Sequence, residues 1–101
     1  MGQPAPAFTT VERTRTFDKA VGRLQPAQRG QLAARLDLLI HNPAHPSLAV
    51  HQVKPGKHYW EAYLNRGDRI IYVPEGSTLV LIDIVSHDDI GRYARGPRRG
   101  A

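Results

Sequence analysis

His87, Arg69 and Tyr93 are the side chains of this 101-residue chain best suited to do chemistry. His87 closes the last apolar run, a place where a rigid strand can project an imidazole, and imidazoles exchange protons near neutral pH. The plainer alternative is a histidine that caps the following turn, its ring paired with Asp88 or Asp89. Arg69 opens the third predicted strand. Its guanidinium can engage two phosphate oxygens in one fork, which an ammonium does less well; otherwise it is a surface cation paired with Asp68 or Glu61. Tyr93 lies six residues beyond His87. It offers a ring to stack on a base or a phenol to help move a proton, or else an anchor that docks the C-terminal segment on the sheet.

Around these three lies a basic setting. Lys54, Lys57 and His58 flank the turn Pro55-Gly56, and Arg92 and Arg95 extend the same electrostatic surface beyond His87. The formal net charge is +5, and eight of the fourteen Lys and Arg residues fall from Lys54 onward. Such a balance favours a polyanionic partner, because each phosphate neutralised releases a counterion; a small Arg-rich protein is also simply soluble. The chain contains no cysteine, which excludes disulfides, thiolate metal sites and a thiol nucleophile and fits a reducing cytoplasm. His41, His45 and His51 lack a metal-ligand spacing and are read as loop residues, and His87-Asp88-Asp89 is a poor cation site, so no metal and no cofactor is expected. Met1 to Pro6 carries no basic leader, and the longest apolar run, Leu79 to Ile84, is interrupted by Asp83 and falls far short of the ~20 residues a membrane helix needs. A soluble cytoplasmic protein is expected.

The length predicts one domain over residues 1–101, with an ordered core of about 8–94 and loose ends to about Thr9 and from Arg95. Phe8 to Arg13 alternates like an edge strand. Phe17, Ala20, Val21 and Leu24 share one helical face, and Asp18 sits in the first turn, where the helix dipole favours a carboxylate. Gln25-Pro26 ends this helix and starts another, whose buried stripe reads Leu32, Ala33, Leu36, Leu39 and Ile40, with Leu38 turned outward. Asn42-Pro43 stops it, the asparagine suited to a left-handed cap. Beyond the loop Pro43 to Ser47 the period becomes two. Strands are predicted at Leu48 to Val53, Tyr59 to Leu64, Arg69 to Val73 and Thr78 to Val85. Trp60, Ala62 and Leu64 share the core face, opposite Tyr59, Glu61 and Tyr63. The last strand is apolar on both faces and so is placed centrally and covered on both sides. Tight turns make consecutive strands antiparallel neighbours. The expectation is an α+β domain: an N-terminal strand and an αα-hairpin packed on a four-stranded antiparallel meander.

The order strand–helix–helix–four strands, with His45-Pro46-Ser47-Leu48, Tyr59-Trp60-Glu61-Ala62-Tyr63-Leu64, Asp68-Arg69-Ile70-Ile71-Tyr72-Val73, Leu79-Val80-Leu81-Ile82-Asp83-Ile84 and Ser86-His87-Asp88-Asp89, resembles the RelE/ParE superfamily of toxins. The resemblance runs from Phe8 to Tyr93. It implies a toxin half of a bacterial toxin–antitoxin pair, with a cognate antitoxin as partner. RelE-like members cut mRNA, commonly in the ribosomal A site, leaving a 2′,3′-cyclic phosphate without a metal. ParE-like members share the fold but poison DNA gyrase. A degenerate, protein-binding module of the same fold is a third possibility.

Metal-free RNA cleavage needs a base for the 2′-hydroxyl, a cation beside the phosphorane and an acid for the leaving 5′-oxygen. By resemblance, His87 and Arg69 match the catalytic histidine or arginine and the phosphate-binding arginine of RelE-like toxins, and Tyr93 matches a tyrosine at the same spacing. Lys54, Lys57 and His58 then fall where such toxins contact RNA. Gly91 departs from members that carry an aromatic residue there, and basic residues are fewer than in the most basic RNA-cutting members.

Overall fold

The computed structural model describes residues 7–55 and 58–94. Among these are five strands, β1 (Thr10–Arg13), β2 (His51–Gln52), β3 (Trp60–Tyr63), β4 (Asp68–Glu75) and β5 (Thr78–Ser86), and three helices, α1 (Arg15–Gly22), α2 (Pro26–His41) and α3 (Gly91–Ala94). The strands form one sheet in the order β1-β5-β4-β3-β2. β2 to β5 pair antiparallel in succession, and β1 joins β5 in parallel. The α+β expectation holds.

Each helix starts where local chemistry allows. Thr14 caps α1 by accepting the Phe17 N–H at 3.1 Å, and Asp18 in the first turn pairs with Arg13 at 3.0 Å. Pro26 occupies the first turn of α2, and the Gln28 side chain accepts the Gln25 N–H at 2.7 Å. Asn42 ends α2 as expected but with φ −149, so it is not in the left-handed region; its N–H still closes the helix on the Leu38 carbonyl at 2.7 Å.

Both long helices lie on one face of the sheet. Phe17, Ala20, Leu32 and Leu39 meet Ala62, Leu64, Ile70, Tyr72, Leu79, Leu81 and Ile84 in one buried core. The α2 stripe is shifted from its predicted position: Ala33 is exposed, whereas Leu38 packs against the core. The reason is that Leu38 reaches the edge of the sheet, where it shares a groove with Tyr63 and Leu64.

Three further expectations change. The second strand was expected from Leu48, but Leu48 is buried in a single 3₁₀ turn, Pro46–Leu48, capped by the His45 ring and followed by Ala49 at φ 46. Only His51 and Gln52 remain to pair, opposite Glu61 and Trp60. Phe8 is buried and donates its N–H to Ile40 at 3.1 Å, so the chain is anchored before Thr9. The strand Thr78–Ser86 is interior but β4 is the central one. Its two faces are covered differently, by the helices on one side and on the other by the C-terminal segment.

A bulge decides what that second face carries. Tyr72 pairs with Leu81 and Ile71 with Asp83, which leaves Ile82 unpaired. The inserted residue reverses the alternation, so Asp83 and Val85 point away from the helices. The Ile82 carbonyl accepts the Thr14 hydroxyl at 2.8 Å, tying the bulge to the start of α1.

Candidate active site

The sheet face opposite the helices holds two rows of cross-strand neighbours. His51, Glu61, Ile71 and Asp83 form one row across β2, β3, β4 and β5, and Tyr63, Arg69 and Val85 form the next. Side chains on one face stand close enough across paired strands to interact directly. At the end of β5 the chain makes a 3₁₀ turn, His87–Asp89, and continues into α3 back over this face. A cleft of about 300 Å³ results, lined by Ala49, His51, Glu61, Tyr63, Arg69, His87 and Ile90.

Glu61 is the buried centre of the cleft, 6% exposed. Its Oε2 lies 3.2 Å from His51 Nε2, and its Oε1 lies 3.8 Å from Arg69 Nε. A buried carboxylate needs such partners, because unpaired it would lose its hydration without compensation. The His51 Nδ1 lies 2.9 Å from the Ala49 carbonyl. A carbonyl only accepts, so Nδ1 carries a proton. Nε2 then faces a carboxylate, and that contact is attractive when a second proton is held between imidazole and carboxyl. Ala49, in its left-handed conformation, aims the carbonyl that fixes this ring.

Arg69 is held from several sides. Its Nη1 donates to the carbonyls of Asn65 and Asp68, both at 2.9 Å, and its guanidinium sits 5.0 Å from the centre of the Tyr63 ring. This fixes the group within the cleft wall rather than leaving it to swing in solvent. His87 is placed by its backbone, whose N–H donates to Gly67 at 2.8 Å. Its ring is exposed and, among the described residues, forms no ion pair with Asp88 or Asp89 and no hydrogen bond; Asp89 instead pairs with Arg92 at 3.5 Å.

The cleft therefore brings Arg69 and His87 together but leaves Tyr93 outside its lining. The Tyr93 hydroxyl donates to Asp83 Oδ2 at 2.6 Å, and its ring packs edge-on against Tyr59 with centres 4.9 Å apart. Burial, and then the bond to Asp83, hold its phenol proton well above the ordinary range. Its place is that of an anchor for the C-terminal segment.

Of the basic flank, Lys54 is exposed in the bend after β2, and exposed His58 sets its ring edge-on to Tyr59 at 5.1 Å. Arg92 is exposed and engaged with Asp89. Lys57 and Arg95 lie outside the described residues. Among the described residues no three His, Asp or Glu side chains gather as a metal site, and no helix is long and apolar enough to cross a membrane.

Two residues of the cleft escaped the sequence reading. His51, which the sequence singles out only to exclude it as a metal ligand, lies in β2 and lines the cleft. Glu61 was considered only as a surface partner for Arg69. The available signal was its alternation with Tyr59 and Tyr63 on the face away from the core, directly across β4 from Asp83.

No protein-family model and no curated protein sequence matches the chain. Solved structures do match it in fold. YafQ from E. coli aligns with a TM-score of 0.66 at 22% identity, over 77% of this chain and 92% of that one. A chain of the E. coli DinJ–YafQ toxin–antitoxin complex aligns at 0.65 and 20% identity, over 77% and 91%. A chain of the archaeal RelE–RelB complex from Pyrococcus horikoshii aligns at 0.65 and 16% identity, over 79% and 96%. The fold is that of RelE-like toxins.

Proposed function

We propose that this chain is the toxin of a toxin–antitoxin pair and a metal-independent endoribonuclease that cleaves mRNA. The observation that carries the reading is one cleft lined by two imidazoles, an arginine and a buried carboxylate on the open face of a RelE-like sheet. His87, whose ring nitrogens are free of partners among the described residues, takes the proton of the 2′-hydroxyl. The 2′-oxygen attacks phosphorus, the bond to the 5′-oxygen breaks, and a 2′,3′-cyclic phosphate forms. Arg69, fixed by the Asn65 and Asp68 carbonyls, faces the charge that develops on the phosphorane. His51, oriented by Glu61 and the Ala49 carbonyl, is placed to supply the proton for the departing 5′-oxygen. Tyr93 serves by holding the segment that carries His87, and Lys54, Lys57, His58, Arg92 and Arg95 make the surrounding surface attractive to RNA.

The partner is a cognate antitoxin, as in the DinJ–YafQ and RelE–RelB complexes that the fold resembles. A gyrase-directed, non-cleaving toxin is the second reading. It is favoured by one observation: Arg69 Nη1 is already committed to two backbone carbonyls. Expression of the chain with mapping of transcript ends separates the two. New 5′ ends that vanish in His87→Ala are expected; intact transcripts with undiminished growth arrest in His87→Ala overturn the nuclease reading.

A further inference from the structure

A second groove of about 400 Å³ lies beyond Tyr63, between α2 and the end of β3. Tyr63 belongs to both hollows, since its ring also walls the cleft of Arg69 and His87. It can do so because β2 begins only at His51 and pairs only with Glu61 and Trp60, leaving the Tyr63 end of β3 without a strand on its outer side. The ring thus reaches around the sheet edge. Arg69 stands 5.0 Å from its centre on one side of this wall, and Arg35 of α2 stands 5.1 Å from the same centre.

Two guanidinium groups this close lie within roughly one Debye length at ~0.1 M salt, so their fields add rather than being screened apart. Arg69 is partly neutralised by Glu61. Arg35 is not: among the described residues it has no carboxylate within ion-pair distance, and only its Nη1 is used, on Ser47 Oγ at 3.1 Å and the Ser47 carbonyl at 3.3 Å. Beside it the Gln31 side chain accepts from Asn65 at 3.2 Å through its oxygen, which leaves the Gln31 amide N–H groups as donors. A cation with an unused face and an amide donor in one groove form a receptor for a phosphodiester.

We propose that the groove of Arg35 and Gln31 is a second phosphate subsite, taking the RNA backbone next to the phosphodiester held by Arg69, with Tyr63 as the divider between the two. The subsite rests on the RNA reading of the cleft. It makes affinity depend on oligonucleotide length, because a dinucleotide has one phosphodiester and cannot fill both positions.

The test uses the full chain carrying His87→Ala and 2′-O-methyl oligonucleotides with one or three phosphodiesters, titrated at several salt concentrations. The longer probe is expected to bind more tightly, and Arg35→Gln is expected to remove roughly tenfold of that gain, the scale of a charge-assisted contact. It also lowers the slope of log affinity against log salt by about 0.7, one phosphate contact on a single strand. Arg35→Lys, which keeps the charge, retains the slope. A length-dependent gain that survives in folded Arg35→Gln overturns the subsite while leaving the RNA reading standing. An acidic peptide that needs Arg35, when the oligonucleotide gain does not, assigns the groove to protein and likewise overturns it. No binding at either length overturns the RNA reading itself and the subsite with it.

Discussion

Replacing Tyr93 by phenylalanine removes one hydroxyl and isolates the bond that fastens the C-terminal segment. The ring stays, and with it the edge-on contact to Tyr59 at 4.9 Å. What is lost is the hydroxyl bonded to Asp83 Oδ2 at 2.6 Å. Asp83 is only 4% exposed, and its other oxygen is taken by the Ile84 N–H at 2.8 Å. The substitution therefore strands a buried carboxylate oxygen, and hydrogen bonds to charged groups are worth about 1.5–3 kcal/mol. A loss of about 2 kcal/mol, with a urea dependence of roughly 1.5 kcal/mol per molar, moves the unfolding midpoint down by about 1.3 M. The added apolar character of phenylalanine offsets only a small part of this, since the ring is already in place. Asp83→Asn retains an acceptor and costs less, so the double variant should show a coupling of about 1 kcal/mol or more. Circular dichroism against urea measures all four proteins. A midpoint within about 0.3 M of the parent for Tyr93→Phe, or additive single effects, would refute the reasoning that this bond fastens α3.

Two further outcomes follow from the fold. Thr14→Ala removes the cap of α1 and the donor to the bulge carbonyl of Ile82 together, so it should cost about 1–2 kcal/mol and lower Tm by roughly 5–10 °C, while Thr14→Ser keeps most of both; a calorimetric scan decides it. Tyr72, by burial, and Tyr93, by burial and then its bond to Asp83, keep their phenol protons above the ordinary value of 10.0. The folded chain then holds protons that the unfolded chain releases, so stability is complete below pH 10.0 and falls as pH rises past it. The slope approaches about 1.4 kcal/mol per pH unit for Tyr72 and less for the partly solvated Tyr93. Urea midpoints between about pH 9 and about pH 11 should show this decline, and a shallower one in Tyr93→Phe.

The elements were legible because they rest on local patterns: period-two runs, prolines at helix starts and tight turns. Contacts that join distant segments were not. Leu38 falls outside the apolar stripe drawn on an isolated α2 and is half-buried only because the sheet edge lies beneath it. The short β2 follows from the 3₁₀ turn at Pro46–Leu48, whose His45 cap and left-handed Ala49 no alternation pattern encodes. The same holds at the site. Arg69 and His87 stood out by residue type and place in the chain, but Glu61 looked like an ordinary solvent-side acid. Its burial is produced jointly by His51 across the ladder, Arg69 on β4 and the returning C-terminal segment. The bulge at Ile82 had no sequence mark, yet it turns Asp83 toward Tyr93.

The parallel pairing of β1 with β5 has a consequence for synthesis. β1 takes its strand partner from Thr78–Leu81, and Thr14 bonds across 68 positions to Ile82. Chains emerge N-terminus first, so β1, α1 and α2 appear before the strands that cover Phe17 and Leu39 exist. That interval exposes apolar surface to chaperones and proteases, and it ends only when β5 arrives. The cleft is completed later still, by His87 and Ile90. A chain halted before β5 has neither a finished sheet nor a finished site, so any activity of the cleft is withheld until synthesis has passed Ile90.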